Sequence, residues 1–176
     1  MYHLLTILAA AAGAAATLPL GVSTEQLDIQ FTPRSPNQLM SFYEARGFPS
    51  AMIDVLERQC FITVRIHNKS KEKIWHNLAN WHFSHNGKPL IREHRNYWLD
   101  KWHAMNMPLA SISTFRWTLI PETLDYLPDE EEGGNIILPR VDGPISVKAT
   151  FATGDDKQGP VLTIDYHKLY CAENRE

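Results

Sequence analysis

Hydrophobic and polar positions along this chain alternate in short runs. Leu27, Ile29 and Phe31 alternate with Asp28 and Gln30, the period of two that a half-buried strand requires, and Pro33 and Pro36 end that run. Ser35-Pro36-Asn37-Gln38 then predicts a helix start: Ser35 caps, Pro36 suits the first helical position and Gln38 reaches back as the capping-box partner. Leu39, Phe42 and Tyr43 give that helix its apolar face and Gly47 ends it; a second helix from Ser50 carries Met52, Val55, Leu56 and Gln59 on one face. Residues 35–59 are therefore expected to be a helical hairpin.

After it the pattern becomes strand-like. Cys60, Ile62, Val64 and Ile66 share an inward face, and a polar turn over 68–73 leads to a strand from Ile74 to Ser84 with Trp75, Ala79, Trp81 and Phe83 inward. Asn86-Gly87 offers the positive φ angles of a hairpin turn, with Lys88 to Arg92 returning alongside. Trp98, Trp102 and Met105 fall at helical spacing, so 94–107 is a short helix stopped by Pro108. Alternation resumes from Ser111 to Ile120, with Phe115, Trp117 and Leu119 on one face. Residues 121–134 are expected to form a long acidic loop, followed by strands at 135–138, 145–151 and 161–170. About seven short strands separated by turn signals predict a mainly β fold, an immunoglobulin-like β-sandwich with an N-terminal helical hairpin and one inserted helix. Ile-x-Val-x-Ile-x-Asn-x-Ser at 62–70 resembles a strand and turn found in many immunoglobulin-like domains, a likeness of nine residues that identifies no family.

Composition adds a compartment. The first charged residue is Glu25, and an apolar run from Leu4 to Ala16 ends in Ala14-Ala15-Ala16, the small-x-small site of a signal peptidase. Residues 1–16 are read as a signal peptide, although the leader has no Lys or Arg, only His3. An uncleaved anchor or a buried first helix is the alternative. A segment 17–34 holding the first strand would follow, then the helical pair and a β body over 60–176, with 25–176 as one domain. Export favours a bridge between the two cysteines, Cys60 and Cys171, worth up to about 4–5 kcal/mol by loop closure. The formal charge of -3 is mixed along the chain without a basic block, so nucleic acid is excluded as an expected partner, and no stable membrane span is expected once the leader is removed.

Candidate chemistry is sparse. His76, His82, His85, His94 and His103 fall within 28 residues, with Met105 and Met107 following, and imidazole with thioether is copper chemistry. His82, His85, His103, Met105 and Met107 are the candidate ligands for copper or zinc. His76 and His82 are about 20 Å apart along an extended strand and cannot share an ion without a bend. All five tryptophans (Trp75, Trp81, Trp98, Trp102, Trp117) lie between 75 and 117 at positions expected to pack inward. Asp129, Glu130, Glu131 and Glu132 lack calcium-loop spacing and read as a solvated run; with Tyr97 they form the candidate partner surface. Asn68-Lys69-Ser70 matches a glycosylation acceptor, and no nucleophile elbow or phosphate-binding glycine loop occurs. The expectation is an exported, non-catalytic binding or assembly module without a cofactor, engaging another envelope protein or complex. A periplasmic copper or zinc protein is the rival, and an envelope-polymer hydrolase or carbohydrate-binding module the third possibility.

Overall fold

A computed structural model describes residues 20–174, so the leader expected over 1–16 lies outside the described residues. Among these residues strand outweighs helix, 41% to 25%, in a mainly β fold of two antiparallel sheets. Sheet A has the order β1 (Leu20–Ser23), β2 (Leu27–Arg34), β3 (Gln59–Asn68), β8 (Glu131–Pro139). Sheet B has β9 (Ile145–Thr153) at its centre. On one side β9 pairs with β10 (Leu162–Leu169); on the other it pairs with β4 (Ile74–Asn77) and β5 (His82–His85). The edge strands β6 (Lys88–Leu90) and β7 (Thr123–Tyr126) flank β5 and β4. Alternate residues of both sheets, among them Ile29, Ile62, Val64, Ile136, Val147 and Phe151, meet in one buried core.

The second core lies on the other face of sheet A. Four short helices, α1 (Pro36–Glu44), α2 (Ser50–Leu56), α3 (Arg95–Ala104) and α4 (Leu109–Thr118), pack Tyr43, Met52, Trp98, Trp102 and Phe115 against Phe61 and Ile137. The expected capping box is present: the Gln38 amide donates to Ser35 Oγ at 3.3 Å and the Ser35 amide to Gln38 Oε1 at 3.1 Å. Gly47 ends that segment at φ +71°.

Four local expectations are corrected. The N-terminal helical hairpin is not seen. A β-hairpin, β1 with β2, opens the described chain, and α1 and α2 are short helices inserted between β2 and β3. Residues 20–23 form β1 because Leu20 and Val22 pack against the first core. The expected strand at 74–84 is broken by a 3₁₀ turn at Leu78–Asn80, which shifts the inward phase: Ile74 and His76 are inward before it, Trp81 and Phe83 after it. Trp75 therefore faces outward between Lys73 and Lys157, with its indole N–H on the Gly154 carbonyl at 2.8 Å.

Residues 111–120 fold as α4, not as a strand. Ser111, Ile112 and Phe115 are buried at helical spacing, and Trp117 is left 85% exposed. The fourth correction is the loop at 121–134, which contains β7, a tight turn at Leu127–Glu130 and the first residues of β8.

Cys60 and Cys171 are bridged, with Cα atoms 5.2 Å apart, tying the start of β3 in sheet A to the residues just after β10 in sheet B. Beyond Cys171, Arg140 holds the Ala172 carbonyl and the Glu173 carboxylate, and Asn174 Oδ1 accepts the Asn37 amide in the first turn of α1. Among the described residues no helix is long and apolar enough to cross a membrane.

Candidate functional site

The helices cover only half of the outer face of sheet A. Along that face the cross-strand pairs of β3 and β8 run Phe61–Ile137, Thr63–Asn135, Arg65–Gly133 and His67–Glu131. The first pair is apolar and buried under the helices; the others are polar or bare. Where the cover stops, a groove of about 620 Å³ crosses the sheet. Its floor is Thr63, Arg65, Asn135 and the Gly133-Gly134 backbone, and its wall is Gln38, Leu39 and Phe42 of α1 with Thr118 of α4.

Arg34 closes one end. Its Nε–H donates to Thr63 Oγ1 at 2.8 Å, and the Thr63 hydroxyl donates on to Asn135 Oδ1 at 2.7 Å. This chain fixes the guanidinium through one nitrogen, and neither Nη group has a hydrogen-bond partner among the described residues. A planar fork of that kind suits a carboxylate. Glu131 marks the opposite end. Arg65 pairs with Glu131 at 3.0 Å, but with both side chains largely exposed the pair contributes little.

The wall is rigid. Gln38 is held in its capping box, and the Arg46 guanidinium lies 3.5 Å from the centre of the Phe42 ring. The Thr118 hydroxyl donates to the Phe115 carbonyl, so it is Tyr43 that donates to Thr118, at 2.9 Å. Burial pushes the Tyr43 phenol up to about 12, so this donor persists through the physiological range. The glycines are needed for close approach: a Cβ at Gly133 would fall onto the Val64 carbonyl oxygen, and one at Gly134 onto the backbone of Ile120.

The residues proposed from sequence lie elsewhere or play other parts. His82 and His85 are three residues apart on β5 in sheet B, hence on opposite faces, and His85 Nδ1 is engaged with the Pro144 carbonyl. His103 is exposed on α3, while Met105 and Met107 pack against the helical core. Among the described residues no three His, Cys, Asp or Glu side chains are grouped to hold a metal.

Three of the four acids of the 129–132 run have surface partners. Asp129 meets His67 at 3.1 Å, Glu130 accepts the Leu127 amide at 2.7 Å, and Glu131 pairs with Arg65. Tyr97, 44% exposed on α3, borders a small hollow with Ile137, Leu138 and Pro139. It thus lies beside the end of β8 opposite to the acids, about 26 Å away along the strand.

Three polar knots belong to the fold. Asn68 is fully buried; its amide donates to the Glu72, Tyr126 and Leu127 carbonyls, and its Oδ1 accepts from the Ser70 amide and hydroxyl. No glycan can be attached to that nitrogen in the folded chain. His76 is 2% exposed. Its Nε2 must donate to the Pro121 carbonyl at 2.8 Å, which leaves Nδ1 to accept the Tyr126 hydroxyl at 2.9 Å. Burial drives the His76 pKa down, against the Pro121 hydrogen bond and the Glu122 charge.

Glu122 is the third. Burial would raise its pKa, but hydrogen bonds from Arg92 and from the Arg95 amide, with the charge of Arg92, hold it below the ordinary value. That carboxylate thereby caps the first turn of α3.

Sequence reasoning missed Arg34, Gln38, Phe42, Thr63 and Asn135. Their signal was the change from Phe61 to Thr63 and from Ile137 to Asn135 on one strand face, which marks where the apolar cover ends. No family model, curated protein or solved structure matches this chain.

Proposed function

We propose that this protein is an exported, non-catalytic binding or assembly module of the periplasm or cell envelope, and that it holds another envelope protein or complex in the stepped groove over sheet A. The observation that carries this reading is a rigid cleft with an unspent guanidinium. Arg34 is fixed by Thr63 and Asn135 and still presents two Nη groups to the groove.

The bridge between Cys60 and Cys171 supports an oxidising compartment. We read the two sheets as an immunoglobulin-like sandwich, folded as one domain, with a helical cap over half of one sheet. Such folds bind through edges and loops more often than they catalyse, which is an argument from analogy.

The reading is tested by placing a photo-crosslinking amino acid at Phe42 in the groove wall, or at exposed Lys88 on β6 in sheet B, in the native host. A discrete adduct from position 42, absent from position 88 and weakened by Arg34→Ala, is expected. No adduct at 42, or the same adducts from both positions, refutes the proposal.

A further inference from the structure

We infer that the groove receives an extended segment of a partner polypeptide, which first adds as a short strand to the open half of β8 and then turns across the sheet to set an acidic side chain on Arg34. This deepens the groove-binding reading and rests on it.

β8 ends sheet A, so among the described residues one of its edges has no strand beside it. In an antiparallel strand the N–H and C=O of one residue point to the same edge, and successive residues alternate. The Ile120 amide donates to the Asn135 carbonyl at 3.1 Å, from the side away from β3. Asn135 therefore points outward. The pairing of β8 with β3 is continuous from Pro139 to Glu131, so Gly133 and Glu131 point outward too. Segment 119–120 covers the edge only at Asn135. Among the described residues no hydrogen bond takes up the outward N–H or C=O of Glu131 or Gly133.

These groups form a two-residue template for a third strand, the arrangement used in β-strand addition. Gly133 has no side chain to obstruct it, and Glu131 through Asn135 all border the groove. A segment running along this edge toward Asn135 meets Leu119 and Ile120 and has to leave the sheet plane. The groove offers that way, over Asn135 and Thr63 to Arg34 on β2. That path crosses two interstrand spacings, about 10 Å, or some three extended residues.

Charge sets the partner's chemistry. The route has a fixed cation at the Arg34 end, and along the rest of it Arg65 and Glu131 neutralise each other. A segment with an acidic side chain about three residues beyond its strand-forming part complements that field.

The test uses the whole oxidised protein and a random twelve-residue peptide library, with counter-selection on Arg34→Ala. A selected peptide is then resynthesised with each backbone amide N-methylated in turn and measured by calorimetry. Strand addition predicts at least tenfold weaker binding at alternate residues over one stretch and little change between them. Glu131→Pro, which deletes an outward N–H at the first residue of the strand, is expected to weaken binding tenfold, against less than twofold for Glu131→Ala. Should Glu131→Pro fail to fold, the methylation scan on the wild-type protein decides. Binding without a two-residue period, or no peptide that distinguishes wild type from Arg34→Ala, overturns the inference. So does a concentration-dependent dimer broken by Glu131→Pro and indifferent to peptide, because the edge then belongs to a second copy of this chain. A Phe42 adduct in the native host together with an aperiodic scan removes strand addition and leaves the groove reading standing.

Discussion

Asn68 offers the sharpest test of the packing described above, because an isosteric change should do more harm than a truncation. Its amide nitrogen serves three carbonyls at 2.7, 2.9 and 3.0 Å, and the bond to Tyr126 is buried. Asn68→Ala removes the two amide protons that the three carbonyls share and the Oδ1 that accepts from Ser70, while the Tyr126 carbonyl keeps its place opposite Ile74 in the β4–β7 ladder. A hydrogen bond nets about 1 kcal/mol, and a buried orphan costs about 1–3 kcal/mol. Two donated and two accepted bonds are lost and no buried carbonyl is fully orphaned, so the loss comes to about 3–5 kcal/mol. For a chain of this length that is a fall of roughly 6–20 °C in Tm.

Asn68→Asp keeps the shape but turns an oxygen toward the same three carbonyl oxygens. At neutral pH it should be less stable than the alanine variant. Its sign with pH follows from linkage: burial and the facing carbonyls raise the folded pKa of that carboxyl. Its stability is then fully present below the unfolded value of about 3.9 and is lost as pH rises through the folded value. Chemical denaturation of both variants at pH 7 and near pH 4 checks this. An aspartate variant as stable as the alanine variant at pH 7, or one that gains nothing on acidification, refutes the account of Asn68.

Two further outcomes are expected. Replacing both cysteines, Cys60→Ala with Cys171→Ala, opens a loop of sequence separation 111 and should cost about 4.8 kcal/mol by the chain-entropy relation, read as a drop in Tm of roughly 10–19 °C; a drop under about 3 °C contradicts it. His76, whose folded pKa is depressed, contributes stability that is fully present above the unfolded value of about 6.5 and falls as pH drops below it, by at most about 1.4 kcal/mol per pH unit. His76→Gln should flatten the stability curve between pH 7 and 5 relative to wild type, and parallel curves would show that His76 is not the group responsible.

Much of the fold was legible from local chemistry. The capping box at Ser35, the Asn86-Gly87 turn, the inward face of β3 and the pairing of the two cysteines each follow from residues close in sequence or few in number. Misreadings arose where tertiary context overrode a local period. In α4 the alternation of Phe115, Trp117 and Leu119 is that of a strand, but Pro108 starts a helix and the Trp98, Trp102 and Phe115 cluster holds one face of it.

At residues 78–80 a single 3₁₀ turn exchanged the two faces of a strand and sent His76, not Trp75, into the core. One-dimensional spacing also hides the strand opposite the acidic run, which carries His67 and Arg65. The groove was harder to see. It depends on where four helices stop along a sheet, a matter of length and angle, and only the switch from Phe61 to Thr63 betrays it in the sequence.

The bridge from Cys60 to Cys171 has a consequence for survival among proteases. It encloses β3 through β10, together with the exposed turn at 154–160, so a single cut anywhere between the two cysteines leaves both halves joined. Nicked molecules would migrate as intact chains until a reductant separated them. Backbone damage in the enclosed loops therefore need not release the groove from the sheet that forms it.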